Sequence, residues 1–228
     1  MNKRLGKQDL LGIGMTSQRR RDRLIERLRT NGVVNEDVLN VMRNMPRHLF
    51  VDEAMANRAY EDCSLPIGFG QTISQPFIVA RMTESVLGSD PQQRPRRVLE
   101  VGTGSGYQAA ILSMLVGEVY TVERIKELYT RTRELLRHLQ LRNIHVKHAD
   151  GTWGWAEHAP YDAIVVTAAP PEVPVSLLEQ LANGGRLVIP VGASGQPQYL
   201  KLIRKTAEGL QQENLEAVSF VPFLQGCH

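Results

Sequence analysis

The stretch Arg97-Val98-Leu99-Glu100-Val101-Gly102-Thr103-Gly104-Ser105-Gly106-Tyr107 restricts the fold more than any other part of the chain. Its aliphatic first half reads as a buried strand, three glycines break it, and Ala109, Ala110, Ile111 and Leu115 continue it as a helix. Strand, glycine turn and helix in that order build a nucleotide pocket in a parallel α/β sheet, because glycine lets the backbone turn sharply and approach a ligand without a Cβ. The spacing departs from the dinucleotide pattern G-x-G-x-x-G, in which pyrophosphate rests on the helix N-terminus. Here the third glycine comes one residue early and Glu100 stands just before the turn. A carboxylate there repels a pyrophosphate and suits a cation, such as the ammonium and sulfonium of S-adenosylmethionine.

The rest of the chain continues the α/β rhythm. Residues 118–123 read as a second strand ending in Glu123, about 20 residues beyond the first glycine, where a ribose-binding carboxylate is expected. Ile125, Leu128, Tyr129, Thr132, Leu136 and Leu139 then mark an amphipathic helix. Residues 143–149 form a third strand closing on Asp150-Gly151, and 162–167 a fourth, apolar on both faces as a central parallel strand should be. A short helix over 176–181 and the turn Asn183-Gly184-Gly185 lead into a fifth strand, 186–191. Residues 198–204 alternate polar and apolar, 217–223 are strand-like, and an antiparallel edge is expected there.

A chain of 228 residues suffices for one α/β domain, expected over 17–228, with a helical cover at 17–90 and a Rossmann-like core at 97–228. Residues 1–16 lack periodicity and read as a flexible extension. Helices are expected from Ser17 to Asn31-Gly32, with Leu24, Ile25 and Leu28 inward, and again around Val38, Leu39 and Met42, ending near Pro46. Residues 60–76 pack glycines, prolines and polar side chains into a loop, followed by a helix capped by Ser74 or Gln75 with Pro76 in its first turn.

The net charge of +3 is uneven: residues 1–30 hold nine Lys/Arg against three acids, so they carry +6 and the remainder −3. Such a patch can meet nucleic acid, but the solvated face of a helix is the commoner reading and the one taken here. The apolar run at 10–15 is too short for a signal peptide, and nothing approaches a membrane span. Two isolated cysteines, Cys63 and Cys227, make neither a disulfide framework nor a zinc site. A cytoplasmic monomer with no metal, membrane or nucleic-acid partner is expected.

The site residues point to one kind of acceptor. Glu123 can accept both ribose hydroxyls, although a surface acid paired with Arg124 or Lys126 is the plainer alternative; Asp150 can accept from the adenine amino group, with Gly151 letting the base approach, or can simply cap a turn. Methyltransferases acting on amino groups often carry Asn/Asp-Pro-Pro-aromatic after the fourth strand. Thr167-Ala168-Ala169-Pro170-Pro171 offers neither that acceptor nor that ring. His145 and His148 lie three apart on a strand and face opposite ways, so they are poor candidates for a metal pair, and no histidine has an evident catalytic partner. A carboxylate acceptor needs no base, because with a pKa near 4 it is already a nucleophile at neutral pH. It needs alignment and shelter from water, for which a hydroxyl suffices. Ser74 is the candidate, with helix capping as its other reading.

From about residue 21 to 226 the chain resembles the bacterial protein-L-isoaspartate (D-aspartate) O-methyltransferases. The resemblance rests on Leu65-Pro66-Ile67-Gly68 with Gly70-Gln71-Thr72-Ile73-Ser74-Gln75-Pro76, on Glu100 through Tyr107, on Val122-Glu123-Arg124, and on Asp150-Gly151 with Gly154. Val166-Thr167-Ala168-Ala169-Pro170 and Val221-Pro222-Phe223 complete it. It implies a class I methyltransferase with a seven-stranded sheet whose last strands are ordered differently from most such enzymes. It places Ser74 at the active-site serine and Glu100, Gly102, Gly104, Gly106, Glu123, Asp150 and Gly151 at S-adenosyl-L-methionine. Thr72, Ile73, Val221 and Pro222 would border the peptide. Residues 1–15 extend beyond the family's usual start. The implied reaction methylates the free α-carboxylate of an L-isoaspartyl residue in a damaged protein, and the ester collapses to a succinimide that can reopen to aspartate. An RNA methyltransferase, a non-catalytic cofactor module and an NAD oxidoreductase are the competing readings.

Overall fold

The structure, a computed structural model, describes residues 12, 14–193 and 195–227. The expected extension over 1–16 therefore lies mostly outside the described residues. Within it, Gly14–Thr16 form a short 3-10 turn beside Glu53–Arg58. Helices α1 (Gln18–Thr30) and α2 (Glu36–Asn44) form where apolar residues recur on one face, burying Leu24, Ile25 and Leu28 on the first and Val38, Leu39 and Met42 on the second. Asn35 starts α2 by accepting from the amides of Asp37 and Val38 at 3.1 and 3.2 Å. Acids engage part of this basic region: Arg29 meets Glu26 and Glu36, Arg43 of α2 meets Asp22 of α1, and Arg21 is buried.

Residues 60–76 are more ordered than a loop. Strands β1 (Leu65–Gly68) and β2 (Gln71–Ile73) make an antiparallel hairpin pairing Leu65 with Ile73. Its two turn residues, Phe69 and Gly70, both have positive φ, 54° and 68°, the requirement of a type I′ turn. Seven residues of strand, a proline and a glycine among them, carry too little pattern to be read as sheet. Helix α3 (Pro76–Leu87) follows, and Gln75, not Ser74, precedes it as cap residue. Its early amide at Phe77 is satisfied from a distance by Asp62 Oδ1 at 2.8 Å. That leaves the Ser74 hydroxyl free of capping.

The central sheet has seven strands: β3 (Arg97–Val101), β4 (Glu118–Glu123), β5 (Ile144–His148), β6 (Tyr161–Val166), β7 (Leu181–Val191), β8 (Gln198–Thr206) and β9 (Gly209–Val218), in the spatial order β5-β4-β3-β6-β7-β8-β9. The first five are parallel; β8 and β9 are antiparallel and lie in chain order. Helices α4 (Tyr107–Ser113), α5 (Lys126–His138) and α6 (Val175–Glu179) link the parallel strands. Two boundaries depart from the sequence reading. β7 already begins at Leu181, and 182–185 bulge out between the pairs Tyr161–Leu181 and Ala163–Arg186. The last strand is 209–218, not 217–223. It is an edge exposed on both faces, so its polar residues give no alternation. After Val218 the chain leaves the sheet, and Pro222 makes an isolated parallel bridge with Ala169.

Cover and sheet share one apolar core, in which Leu24, Leu28 and Leu39 pack with Tyr107, Ile111 and Leu128. Leu39 is fully buried, so Leu39→Ala is predicted to cost about 2–5 kcal/mol through lost transfer energy and a cavity. Because the core is shared, far-UV ellipticity and the fluorescence of Trp153 and Trp155 should be lost at one urea midpoint. Separate midpoints would show that the cover melts by itself.

Candidate active site

The strand order reverses between β3 and β6, and in a parallel sheet that switch point opens a crevice at the carboxyl ends of the strands. A cleft with about 820 Å³ of unfilled space lies there. The glycine turn forms its floor, Glu123 one wall, the end of the β1–β2 hairpin another, and the returning C-terminal segment its cover.

The turn is built by short backbone bonds. The amides of Gly102 and Thr103 both reach the Val122 carbonyl, at 3.0 and 3.2 Å, and that of Gly106 closes on the Thr103 carbonyl at 2.8 Å. Gly106 precedes α4 with φ +83°, and a Cβ there would sit 2.6 Å from Thr132 Cγ2 on α5. Its requirement for glycine is thus conformation and helix packing, and it does not line the cleft. Gly102 and Gly104 do. Gly151 also lines it, and a Cβ there would meet Val101 Cγ1 at 2.5 Å.

Two acids at the crevice are held in different ways. Glu123 is 4% exposed and accepts two backbone amides, Gly104 at 2.8 Å on Oε2 and Ile125 at 2.9 Å on Oε1. Each oxygen keeps a lone pair for a hydroxyl donor. Glu100 is fully buried beside its register partner Thr121, whose hydroxyl donates to Oε2 at 2.5 Å. Since that spends Thr121's only hydrogen, the 2.7 Å contact to Thr103 is one in which Thr103 donates. Glu100 Oε1 has no protein partner. Burial pushes the Glu100 carboxyl up to about 8, aided by the nearby Glu123 charge and opposed by the Thr121 bond. At neutral pH the ligand-free protein therefore holds Glu100 mainly protonated. The full negative charge expected before the turn has to be created by a cation arriving beside it.

Asp150 is placed behind this layer. Its oxygens accept from the amides of Thr152 at 2.8 Å and Gly226 at 2.6 Å, and its side chain does not line the cleft. Burial works to raise its pKa, but those amides outweigh it and hold the group below the usual carboxylate range.

The hairpin brings Thr72, Ile73 and Ser74 to the cleft. The Ser74 hydroxyl has no hydrogen-bond partner among the described residues, while its carbonyl accepts from Arg47 Nη2 at 2.7 Å. On the opposite side Val221, Pro222, Phe223 and Leu224 line the cavity, held because the Ala169 amide reaches the Val221 carbonyl and the Phe223 amide the Ala169 carbonyl, both at 2.9 Å. A second cleft beyond Ser74 is lined by Gln75, Ile78, Ser219 and Phe220. Thr72, Ser74 and Thr167 border both. The two spaces thus meet at three hydroxyl side chains and no ionisable one.

Two residues missed by sequence reasoning shape this junction. Arg47, fully buried, donates Nε to the Ala59 carbonyl at 2.9 Å, holds Ser74 as above and lies 4.7 Å over the Tyr107 ring. One arginine in Met45-Pro46-Arg47-His48-Leu49 carries no sequence signal of burial. Thr167, read as part of a family motif and as a missing acceptor but given no role, donates to the Gly102 carbonyl at 2.6 Å. Its place directly after the fourth strand was the available clue. His145 pairs with Glu118 at 2.7 Å and His148 contacts the Arg124 carbonyl at 3.1 Å, both away from the crevice lining. Among the described residues no cluster of metal-binding side chains occurs, and no helix is long and apolar enough to cross a membrane.

This donor set fits S-adenosylmethionine. Glu123 keeps acceptor capacity for a ribose diol, and Glu100 Oε1 is an unpaired buried acceptor for an ammonium. Gly102 and Gly104 leave the floor open to close approach.

Glu100→Gln is predicted to change stability and binding in opposite directions. Between pH 4.5 and about 8 the native protein keeps a proton that the unfolded chain has released, so wild-type stability falls as pH rises through that window. The glutamine variant lacks this slope and should be more stable above pH 7 by roughly 1–4 kcal/mol, while binding the cofactor more weakly. Urea midpoints at pH 5, 7 and 8.5 check it, and parallel slopes in the two proteins would refute it.

Comparison with known proteins follows the same lines. A family model described as protein-L-isoaspartate(D-aspartate) O-methyltransferase matches residues 19–227. A protein-L-isoaspartate O-methyltransferase of Xanthomonas axonopodis pv. citri is 59% identical over 95% of this chain and 94% of its own length. One of Alkalilimnicola ehrlichii is 56% identical over 95% and 96%. A solved protein-L-isoaspartate O-methyltransferase superposes with TM-score 0.77 at 29% identity, covering 89% of this chain and 65% of that one. A Plasmodium falciparum structure described as such an enzyme, in complex with S-adenosyl-L-homocysteine, gives 0.74 at 27% over 90% and 98%. The chain belongs to the protein-L-isoaspartate (D-aspartate) O-methyltransferase family, the enzymes that use S-adenosylmethionine to methylate L-isoaspartyl residues in protein repair.

Proposed function

We propose that Ser74 aligns the free α-carboxylate of the isoaspartyl residue for in-line attack on the methyl group, at the point where the two clefts meet. The observation that carries this is the Ser74 hydroxyl itself, which borders both clefts and has no partner among the described residues. A carboxylate is ionised at neutral pH and needs no base, and no ionisable side chain borders the junction. S-adenosylmethionine, when bound, supplies an electrophilic methyl on a sulfonium. Glu123 then accepts from the ribose hydroxyls and Glu100 pairs with the ammonium, giving up its proton. Gly102 and Gly104 let the ligand lie against the turn, Gly106 holds the turn's shape, and Asp150 fixes the segment that presents Gly151 to the adenine.

Thr72 and Ile73 on one side, and Val221 and Pro222 on the other, border the peptide. Methyl transfer converts the carboxylate to a methyl ester; the amide nitrogen of the following residue attacks the ester carbonyl and methanol leaves, closing the succinimide. Conversion of the succinimide to aspartate needs only water.

We further infer a cytoplasmic enzyme acting as a monomer and independently of nucleic acid. The free thiols of Cys63 and Cys227 suit a reducing compartment, and Glu26, Glu36 and Asp22 engage the arginines around α1.

The assay that tests the reading uses paired peptides identical except for Asp or isoAsp; methyl incorporation is expected only in the isoAsp member, and equal incorporation would overturn it. Ser74→Ala is expected to lower kcat with little change in the urea midpoint, since its hydroxyl supports no part of the fold; equal losses in both would return Ser74 to a structural role. Glu123→Ala should weaken cofactor binding by roughly 1–3 kcal/mol, the usual worth of charge-assisted bonds to a diol. Calorimetry showing wild-type affinity would remove Glu123 from the ribose site.

A further inference from the structure

Strand β5 is the outer strand on the parallel side of the sheet and pairs only with β4. The Val119 amide reaches the Asn143 carbonyl and the Ala149 amide the Glu123 carbonyl, each at 2.9 Å. Those contacts assign the odd-numbered residues here to the ladder with β4. Ile144, Val146 and His148 therefore turn their N–H and C=O groups to the open side, a row able to pair with another extended chain.

A groove with about 1180 Å³ of open space runs along that side, between the end of α5 and Trp155. Arg133, Arg137 and Arg142 line it, and among the described residues no carboxylate does. Arg133 is held by the Tyr129 hydroxyl at 2.8 Å. Arg137 and Arg142 have neither a hydrogen bond nor an ion pair among the described residues. The acids bordering the strand are engaged elsewhere, Glu118 with His145 at 2.7 Å and Glu157 with Lys147 at 2.9 Å. Basic residues in a last helical turn complement the helix's own dipole, which accounts for Arg137. It accounts neither for Arg142, four residues beyond the end of α5, nor for the open edge beside it.

We propose that this groove docks an extended acidic segment of the protein under repair, added as a further strand beside β5 with carboxylates on Arg137 and Arg142. A peptide backbone matches the open N–H and C=O row, which a polynucleotide does not, and acidic side chains match the unpaired guanidinium groups. β5 ends at His148, two residues before Asp150, so the added strand is directed along the sheet towards the cofactor crevice. The identity of the bearer rests on the peptide-methylating function above; the docking itself does not.

The test is fluorescence anisotropy with a labelled eight-residue peptide of alternating Glu and Val. Binding is expected at low ionic strength, weakening by roughly 3- to 30-fold on adding salt, as two or three exposed pairs allow. It should be lost in the Arg137→Glu/Arg142→Glu double variant and retained in the Arg137→Lys/Arg142→Lys one. A peptide of the same charge with proline at alternate positions, which cannot donate to a strand edge, should bind more weakly. No binding, equal binding of the proline peptide, or tighter binding of a single-stranded oligonucleotide of equal charge would each overturn the proposal. Methylation of a short neutral isoAsp peptide should be unchanged in both double variants. Its loss in wild type would instead count against the proposed function.

Discussion

The structure depends on a buried positive charge that hydrogen-bonds to no carboxylate among the described residues, Asp62 acting on it only through its charge. Arg47 is fully buried, and burial lowers its pKa. Placing a guanidinium out of water costs several kcal/mol, offset only where its donors and its face find partners. Here the partners are the carbonyls of Ala59 and Ser74 and the ring of Tyr107, with Nη1 left unpaired. Those groups belong to three parts of the chain: the segment after α2, the end of the β1–β2 hairpin, and the first residue after the glycine turn. One side chain thereby ties the end of the hairpin to the glycine turn. A hydrophobic residue of equal volume could fill the space, but it could not fix the Ser74 carbonyl.

The carboxyl groups of the cofactor site divide by the same logic of partners. Glu123 accepts two backbone amides and is bound into the turn it helps to shape. Glu100 has one hydroxyl donor and one unpaired oxygen, both fully buried, and so retains a proton until a cation replaces it. Asp150 has both oxygens occupied by amides and serves the backbone. Three acids at the ends of three parallel strands look alike in sequence. Which of them is free to meet a ligand is decided by the backbone amides around each.

That distinction explains what could be read in the chain beforehand. The parallel half of the sheet was legible, because β3 and β4 are apolar runs bounded by glycine and acid, and β6 is an apolar run flanked by prolines. The antiparallel edge was legible in kind but not in place. β9 is exposed on both faces and lacks the alternation that marks a half-buried strand, whereas the apolar residues 220–223 line the two clefts. The β1–β2 hairpin was hidden by its brevity and by Phe69 in a left-handed conformation more often given to glycine or asparagine. Ser74 was ambiguous between cap and catalyst, since the residue that satisfies the Phe77 amide is Asp62, fifteen positions earlier. Long-range partners of this kind leave no periodic trace.

Around the crevice most polar groups already have protein partners. Thr167 is committed to the Gly102 carbonyl, Thr103 and Thr121 to the chain that ends at Glu100, and Glu123 to the turn. Among the described lining residues, Glu100 Oε1 and Gln108 Oε1 have no hydrogen-bond partner within the fold, and neither do the Thr72 and Ser74 hydroxyls where the two clefts meet. A reaction between a cationic methyl donor and an anionic acceptor requires little more than one contact for each partner, and a general base would add nothing to an acceptor that is already ionised. Surplus polar groups would instead admit water and solvate the carboxylate, slowing its attack. The sparseness of the junction, where the two clefts share three hydroxyl side chains and no ionisable one among the described residues, is therefore what carboxyl methylation requires.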